Sequence, residues 1–473
     1  MKIIYLSSEA VPFAKVGGLA DVAGSLPCEI SKLGHDIIVL MPRYKTIDIK
    51  KFKLKKTGVK FDVEIAGVKY NCGLTEGRLP ASKVKVYFIE NKKVFGSGSV
   101  YDGCGTPIKF SLFSHASLKA VKSLKFKPDI INCNDWHTGL TPLLLKNDPF
   151  FKNTKTVMTI HNIGYQGEFP VKDFKYTGVP KSEINIFKYK NKVNFLKAGI
   201  LCADAVSTVS PTYAKEIQTR KYGHGMEKFL KSIKVYGILN GADYEHWNPE
   251  KDKYIIKKYN KKTVINGKKL CKKNLQKACE LKNEDSFMIG MVTRMVDQKG
   301  FDILSKVIND ILKLDLQFII LATGQPNYEK LFTKLQKKHP EKLNINLKFD
   351  NELAHKIEAG ADVFLMPSRY EPCGLNQIYS LKYGTSPIVR KTGGLADTVV
   401  NFNEKTNKGT GFVFDKYSAK DLLKSVKRAY KLYRDKKKWD KLVQNAMNQD
   451  FSWKRSAKEY IKLYRKIILH SCR

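Results

Sequence analysis

The chain has 473 residues, 42% of them hydrophobic and 11% aromatic, and a formal charge of +40. That length exceeds one ordinary core, so two to three domains are expected, and the composition excludes a disordered chain. The longest apolar runs, such as Phe318 to Ala322, are far too short to span a bilayer, so no membrane partner is expected.

The charge suggests nucleic acid, because phosphate neutralisation needs cations. Two features argue against a specific nucleic-acid partner. Arg, the better bidentate reader of phosphates and bases, supplies only 11 of the 85 basic residues. The lysines are also spread over the whole chain, as at Lys50–Lys56, Lys257–Lys262, Lys268–Lys273 and Lys436–Lys438. A solvated, Lys-rich surface is the expectation. The nine cysteines are scattered and never spaced C-x-x-C, which fits reduced thiols in a cytoplasmic protein and suggests no metal site. The N-terminal run reaches Glu9 at once, too early for the apolar region of a signal peptide.

Short apolar runs at Lys2–Leu6, Ile37–Leu40, Val84–Ile89, Ile130–Cys133, Thr156–Ile160 and Ala205–Val209 read as buried parallel strands. After the first of them, Leu19, Val22, Ala23, Leu26, Ile30 and Leu33 recur at helical spacing, with Pro27 expected to interrupt and kink the helix. The pattern changes around Asn240-Gly241, with Asn248-Pro249 following, and a boundary is expected near residue 242. The second half repeats the scheme, with strands at Met288–Val292, Gln317–Thr323, Val363–Met366 and Pro387–Val389. Alternation of this kind predicts an α/β fold with an open, doubly wound sheet in each half. Ala457, Tyr460, Ile461, Tyr464 and Ile468 share one face of a final amphipathic helix, which must pack on something. The expected domains are 1–242, 243–455 and the C-terminal helix at 456–473.

One phrase occurs twice, as Lys15-Val16-Gly17-Gly18-Leu19-Ala20-Asp21 and as Lys391-Thr392-Gly393-Gly394-Leu395-Ala396-Asp397. Each copy follows a strand-like run and opens a helix-like one. A Gly-Gly pair at such a turn presents backbone N–H groups to an anion, and the Lys adds charge. Open α/β sheets bind ligands beyond the carboxyl ends of their strands, so the residues after each strand form the candidate site. They are Glu9, Lys15, Gly17, Gly18 and Asp21; Asn134-Asp135-Trp136-His137; His161-Asn162; Arg294 with Lys299 and Gly300; and Ser368 through Leu375. Cations for a diphosphate stand beside carboxylates, amides and a His for sugar hydroxyls. No G-x-G-x-x-G opens the first helix, so a dinucleotide-binding reading fits poorly. Trp136 and Trp247 read as packing residues.

These stretches, with Asn240-Gly241 and Arg390 through Thr398, are long, ordered and jointly specific. Over essentially its whole length the chain resembles the bacterial glycogen synthase and plant starch synthase family, retaining nucleotide-sugar glycosyltransferases of GT-B architecture. The resemblance implies two Rossmann-like domains facing an interdomain cleft, with the C-terminal helix packing back toward the N-terminal domain. It implies ADP-glucose as co-substrate, glycogen or another α-1,4-glucan as acceptor, and no cofactor or metal. Lys15, Gly17 and Gly18 would contact the donor diphosphate and glucose, and Arg294 and Lys299 would clamp that diphosphate. Glu371 would hold the glucose ring near its anomeric carbon. The Cys373, Gly374 and Leu375 amides would bind sugar hydroxyls, and Thr392, Gly393 and Gly394 would serve the phosphates. Asp135, His161 and Asn162 would line the glucose and acceptor side, Glu9 and Asp21 would face the acceptor glucan, and Phe349 the nucleobase.

Departures from the family pattern are modest: Val16 replaces a Thr, Asn376 stands where Thr is common, and Ala242 where a larger aliphatic is usual. Tyr379 stands where many related glycosyltransferases carry a second Glu for the ribose, which fits the glycogen/starch synthase branch. Retention in a hydrolase would need two carboxylates about 5 Å apart, and no second partner for Glu371 is evident. The alternatives are the same transfer from UDP-glucose, or an inactive scaffold that binds polyanions. The joint presence of Lys15, His161, Arg294, Lys299 and Glu371 disfavours the inactive scaffold.

Overall fold

The computed structural model describes residues 1–96, 100–101, 107–282 and 285–469. The chain divides into two compact units, one of Met1–Gly241 with Trp453–Arg473, the other of Ala242–Ser452.

In the first unit the strands are β1 (Lys2–Leu6), β2 (Asp36–Pro42), β3 (Lys55–Ile65), β4 (Val68–Arg78), β5 (Lys85–Glu90), β6 (Ile130–Asn134), β7 (Lys155–Ile160), β8 (Glu168–Pro170), β9 (Lys188–Tyr189), β10 (Lys192–Asn194), β11 (Ala205–Thr208) and β12 (Val235–Gly237). The main sheet has nine strands in the order β12-β11-β7-β6-β1-β2-β5-β4-β3, and β8, β9 and β10 form a small separate sheet. All six strands expected here are present. The sequence reading passed over the β3–β4 hairpin, the antiparallel edge of the sheet. Its exposed, Lys-rich face dilutes the apolar signal. Its turn, Ala66-Gly67, places both residues at positive φ, which suits the strand twist although Ala is a rare first residue for it.

The second unit contains β13 (Phe287–Met295), β14 (Leu316–Gly324), β15 (Leu343–Asn346), β16 (Val363–Met366), β17 (Ser386–Arg390) and β18 (Phe412–Phe414). Its order is β15-β14-β13-β16-β17-β18, all parallel. The two strands missing from the sequence reading, β15 and β18, are the sheet's edges, where short strands carry little apolar pattern. Numbered by their parallel strands alone, both sheets run 3-2-1-4-5-6, the first with one strand more. The order therefore reverses beside β1 and β6 in one unit and beside β13 and β16 in the other. Those are the crevices in which such sheets bind ligands.

The helix after β1 runs unbroken over Gly18–Lys32, with Pro27 inside it and buried. The expected interruption does not occur. Leu19, Val22, Ala23, Leu26 and Ile30 bury the face against the sheet, and Gly34, at φ +84, lets the chain turn after the last turn of helix. The C-terminal helix, Trp453–Leu469, packs against this first helix and belongs to the first unit's core. It buries Ala457, Tyr460, Ile461 and Tyr464 as its periodicity suggests, with Ile467 rather than Ile468 completing the face. Fully buried Tyr464 donates its hydroxyl to Asn132 Oδ1 at 2.9 Å, so the helix is tied to β6 by a polar bond as well as by apolar area.

Replacing Tyr464 separates those two contributions. Tyr464→Ala should destabilise the first unit by about 3–5 kcal/mol, and Tyr464→Phe by about 1–2 kcal/mol, the cost of an unpaired buried acceptor. Urea denaturation followed by tryptophan fluorescence measures both. Equal effects would mean that aromatic packing contributes nothing there.

Candidate active site

In the first unit, the loop leaving β1 folds back on itself through Glu9. This carboxyl is buried and accepts hydrogen bonds from the backbone N–H groups of Val16 at 2.5 Å and Gly17 at 3.0 Å. The Tyr101 hydroxyl donates to its other oxygen at 3.1 Å. Burial raises the Glu9 pKa against the pull of those donors. Glu9 thus shapes the Gly-Gly turn from inside rather than presenting a free carboxylate to an acceptor, and the Gly17 N–H is already engaged. Gly18 begins the helix, while Lys15 forms an ion pair with Asp21 at 2.7 Å near the surface.

At the end of β6, Asp135 adopts φ +55 and ψ −178, a conformation that costs a non-glycine residue of order 1–3 kcal/mol. What holds it is its own side chain. Asp135 Oδ1 accepts from the His161 N–H at 2.7 Å and the Asn162 N–H at 3.4 Å, joining the loops after β6 and β7. Burial pushes its carboxyl up to about 7. The His161 ring bonds through Nε2 to Asn134 Oδ1 at 2.9 Å, and Asn134 Nδ2 donates to the Leu6 carbonyl at 2.7 Å. With its amide nitrogen committed to a carbonyl, Asn134 presents oxygen to the imidazole. Nε2 therefore carries the proton and Nδ1 is left as an acceptor. Burial pushes the His161 ring down to about 3, so it is neutral at physiological pH. His137 is buried beside Tyr101, Phe110 and Trp136 with neither ring nitrogen bonded, and Trp136 packs among Phe110, Phe169 and Phe195 as expected of a core residue.

In the second unit the loops after β13 and β16 are bonded to each other: the Arg369 N–H donates to the Gln298 carbonyl at 2.8 Å. Gly300, at φ +83, permits this approach, because a Cβ there would lie 2.2 Å from the Pro367 carbonyl oxygen. The result is a short ion pair from Lys299 Nζ to Glu371 Oε2 at 2.7 Å, with the Ser368 hydroxyl donating to the same oxygen at 3.0 Å. The Glu371 side chain is only 6% exposed. Arg390 donates to the Ser368 carbonyl at 2.7 Å and also to that of Arg369, bracing the loop from β17. The second Gly-Gly turn backs the same loop: Gly393, at φ +42, has the Glu371 carbonyl oxygen 1.9 Å from where a Cβ would be, and the Gly394 N–H donates to that carbonyl at 3.1 Å.

Arg294, by contrast, is exposed at the end of β13 and makes no hydrogen bond or ion pair among the described residues. Cys373, Gly374 and Leu375 lead into helix Asn376–Tyr383, whose first turn has no side-chain cap. Thr392 is buried just before the helix at Gly393–Thr398. Phe349 is 89% exposed. Tyr379 stacks on Trp247 at 4.2 Å, and His355 covers the other face of that indole at 3.8 Å.

The first unit thus brings together Glu9, Gly17, Asp135, His161 and Asn162, and the second Lys299, Glu371, Gly393 and Gly394. Sequence reasoning missed Asn134 as the residue fixing the His161 tautomer, Tyr101 as a donor to Glu9, and Ser368 as a donor to Glu371. The alternation of Asn132 and Asn134 in an otherwise apolar strand, and a Ser three residues before Glu371, were the available signals. Among the described residues no group of His, Cys, Asp or Glu could hold a metal ion, and no helix is long and apolar enough to cross a membrane.

Residues 2–232 match the family model of the starch synthase catalytic domain, and residues 272–449 that of glycosyl transferases group 1. The chain is 45% identical over 485 aligned positions to a glycogen synthase of Thermotoga petrophila, covering 99% of each chain. It is 46% identical over 476 positions to one of Thermosipho melanesiensis, covering 98% and 99%. The catalytic domain of starch synthase IV from Arabidopsis thaliana, solved bound to ADP and acarbose, superposes with a TM-score of 0.92 at 32% identity over 99% of both chains. Sucrose-phosphate synthase from Thermosynechococcus elongatus, 17% identical with a TM-score of 0.62, shares the fold. With a Rossmann-like sheet in each unit and full-length relatives at this identity, the chain belongs to the glycogen synthase and starch synthase family of glycosyltransferases.

Proposed function

We propose that this glycosyltransferase moves glucose from ADP-glucose to the non-reducing-end 4-hydroxyl of an α-1,4-glucan, with retention of configuration. The observation that carries the reading is the Lys299–Glu371 pair beside the unpaired Arg294 at the second sheet's switch point. Full-length glycogen synthase relatives and the ADP-bound starch synthase support it.

The chemistry follows from where charge moves. A departing nucleoside diphosphate gathers negative charge, and fixed cations that need not reorganise lower the barrier to its departure. Arg294 and Lys299 supply those cations. Lys299 pairs with Glu371, which keeps the ammonium oriented and the buried carboxylate compensated. Glu371 in turn faces the positive charge that grows at the anomeric carbon. Its partners are an ammonium and a hydroxyl rather than a second carboxylate. Retention is therefore assigned to same-face attack, with the leaving phosphate taking the acceptor proton. The Cys373, Gly374 and Leu375 amides bind sugar hydroxyls, while Thr392 and the Gly393-Gly394 turn serve the donor phosphates. Exposed Phe349 is the surface for the nucleobase.

The first unit contributes uncharged recognition on the glucose and acceptor side. Neutral His161 offers a bare Nδ1 to a sugar hydroxyl; Asn134 holds its ring through Nε2, and Asp135 anchors the backbone of His161 and Asn162. Lys15, with the Gly17-Gly18 turn, adds charge toward the donor phosphates once its hold on Asp21 is exchanged, leaving Asp21 for the glucan. ADP-glucose is a co-substrate, and no cofactor or metal enters the scheme. The proposal includes a cytoplasmic location, which the free Cys28, Cys72, Cys133, Cys202, Cys271, Cys279 and Cys373 support.

Nucleotide release and glucan elongation, measured side by side with ADP-glucose and UDP-glucose on glycogen, test the reading. Strong preference for ADP-glucose with lengthened chains is expected; turnover with UDP-glucose alone, or with neither donor, would overturn it. Glu371→Gln, which preserves shape, should lower kcat at least a hundredfold, on the scale of removing one preorganised electrostatic group. An unchanged rate would remove Glu371 from the reaction.

Asp135 also has a pH signature. A carboxyl raised to about 7 by burial favours the folded state fully below the ordinary carboxyl pKa, near 4, and loses that contribution as pH rises through 7. Between pH 5 and 7 the wild type should therefore lose about 2–3 kcal/mol relative to Asp135→Asn, with no further change above. Parallel stability curves for the two proteins would mean that Asp135 is ionised throughout.

A further inference from the structure

The C-terminal helix has a second face that glucosyl transfer does not use. Lys458, Lys462, Arg465 and Lys466 stand at i, i+4, i+7 and i+8, all exposed, beside the end of the first helix. Together with His35 they line a groove of about 690 Å³ whose apolar surface includes Leu33 and Ile461. No carboxylate lines it.

Some surface lysines are compensated locally, although with 85 basic against 45 acidic residues many are not. Lys69 is held by Asp62, Lys251 by Glu245, Lys313 by Asp310, Lys356 by Glu352 and Lys438 by Asp435. The four groove cations form no ion pair among the described residues; the nearest comparable contact is Lys466 Nζ, 5.6 Å from the Tyr236 ring centroid. Burial, the adjacent N-terminal ammonium and Arg465 together hold the His35 ring below its usual pKa, consistent with a positive potential at this end of the groove.

Four like charges converging without a counter-charge repel one another, and an anion bridging them removes that cost. One phosphate could engage at most two of them, since residues four apart on a helix are separated by about 6 Å. A chain of linked phosphates matches the two-turn spacing from Lys458 to Lys466, and Arg465 adds a planar fork suited to phosphate oxygens. We propose that this groove is a binding site for a small oligophosphate anion, separate from the site of glucosyl transfer.

Inorganic tripolyphosphate is the direct probe. Calorimetric titration of the full chain, at 150 mM salt and with saturating ADP present to occupy the donor site, should show one tripolyphosphate bound per chain. The triple variant Lys462→Ala/Arg465→Ala/Lys466→Ala should bind at least tenfold more weakly, with its rate on ADP-glucose unchanged. A matched control, Lys257→Ala/Lys258→Ala/Lys262→Ala, should bind as the wild type does. Equal binding by the groove variant and the wild type would overturn the site. So would equal weakening in both triple variants, which would mark diffuse attraction by the +40 surface.

Discussion

A carboxylate as buried as Glu371 is tolerated only with a cation and a donor beside it, because an uncompensated charge in that position would cost several kcal/mol. Much of the second unit's geometry serves that requirement. The loops after β13 and β16 are bonded backbone to backbone, which brings Lys299 to Glu371. Gly300 leaves room for the contact, Arg390 braces the 368–369 carbonyls from the next strand, and the Gly393-Gly394 turn fills the space behind. The pair is at once the structural solution for a buried carboxylate and the part of the site best suited to a reaction in which opposite charges separate.

The first unit solves a different problem. It places polar groups beneath its site where burial disfavours their charged forms. Tyr464 donates to Asn132, Asn132 to Asn134, and Asn134 accepts from His161, so a line of hydrogen bonds runs from the C-terminal helix through β6 to the imidazole. Low polarity keeps His161 neutral and Asp135 close to protonation near pH 7. Such a surface is rich in hydrogen-bonding groups. The C-terminal helix, last in sequence, therefore supports the first site as well as the first core.

Much of this was legible in the sequence because parallel strands buried on both faces are nearly pure apolar runs, and because their carboxyl-terminal loops carry the polar residues. The strands that escaped were edges or half-exposed: in β3 and β4 polar residues and lysines interrupt the apolar pattern, and β15 and β18 are too short to show one. The Gly-Gly repeats stand out in the sequence, but their closest contacts differ from those the motif suggests. Gly17 N–H faces Glu9, and Gly394 N–H faces the Glu371 carbonyl, so both turns are also packing devices. Nothing in the local sequence reveals such long-range pairings: Glu371 and Lys299 are 72 residues apart, and the loops that carry them are joined by a backbone bond from Arg369 to Gln298. Pro27 within an unbroken helix is another case where tertiary burial overrides local preference.

The central claim is that Lys299 and Glu371 act as one device. A double-mutant cycle on kcat, comparing Lys299→Ala, Glu371→Gln and the combined variant at saturating ADP-glucose and glycogen, tests it most directly. If the account holds, the combined variant is little worse than the more damaging single change, because residues that work as a unit fail together. Losses that multiply would show two independent contributions and contradict it.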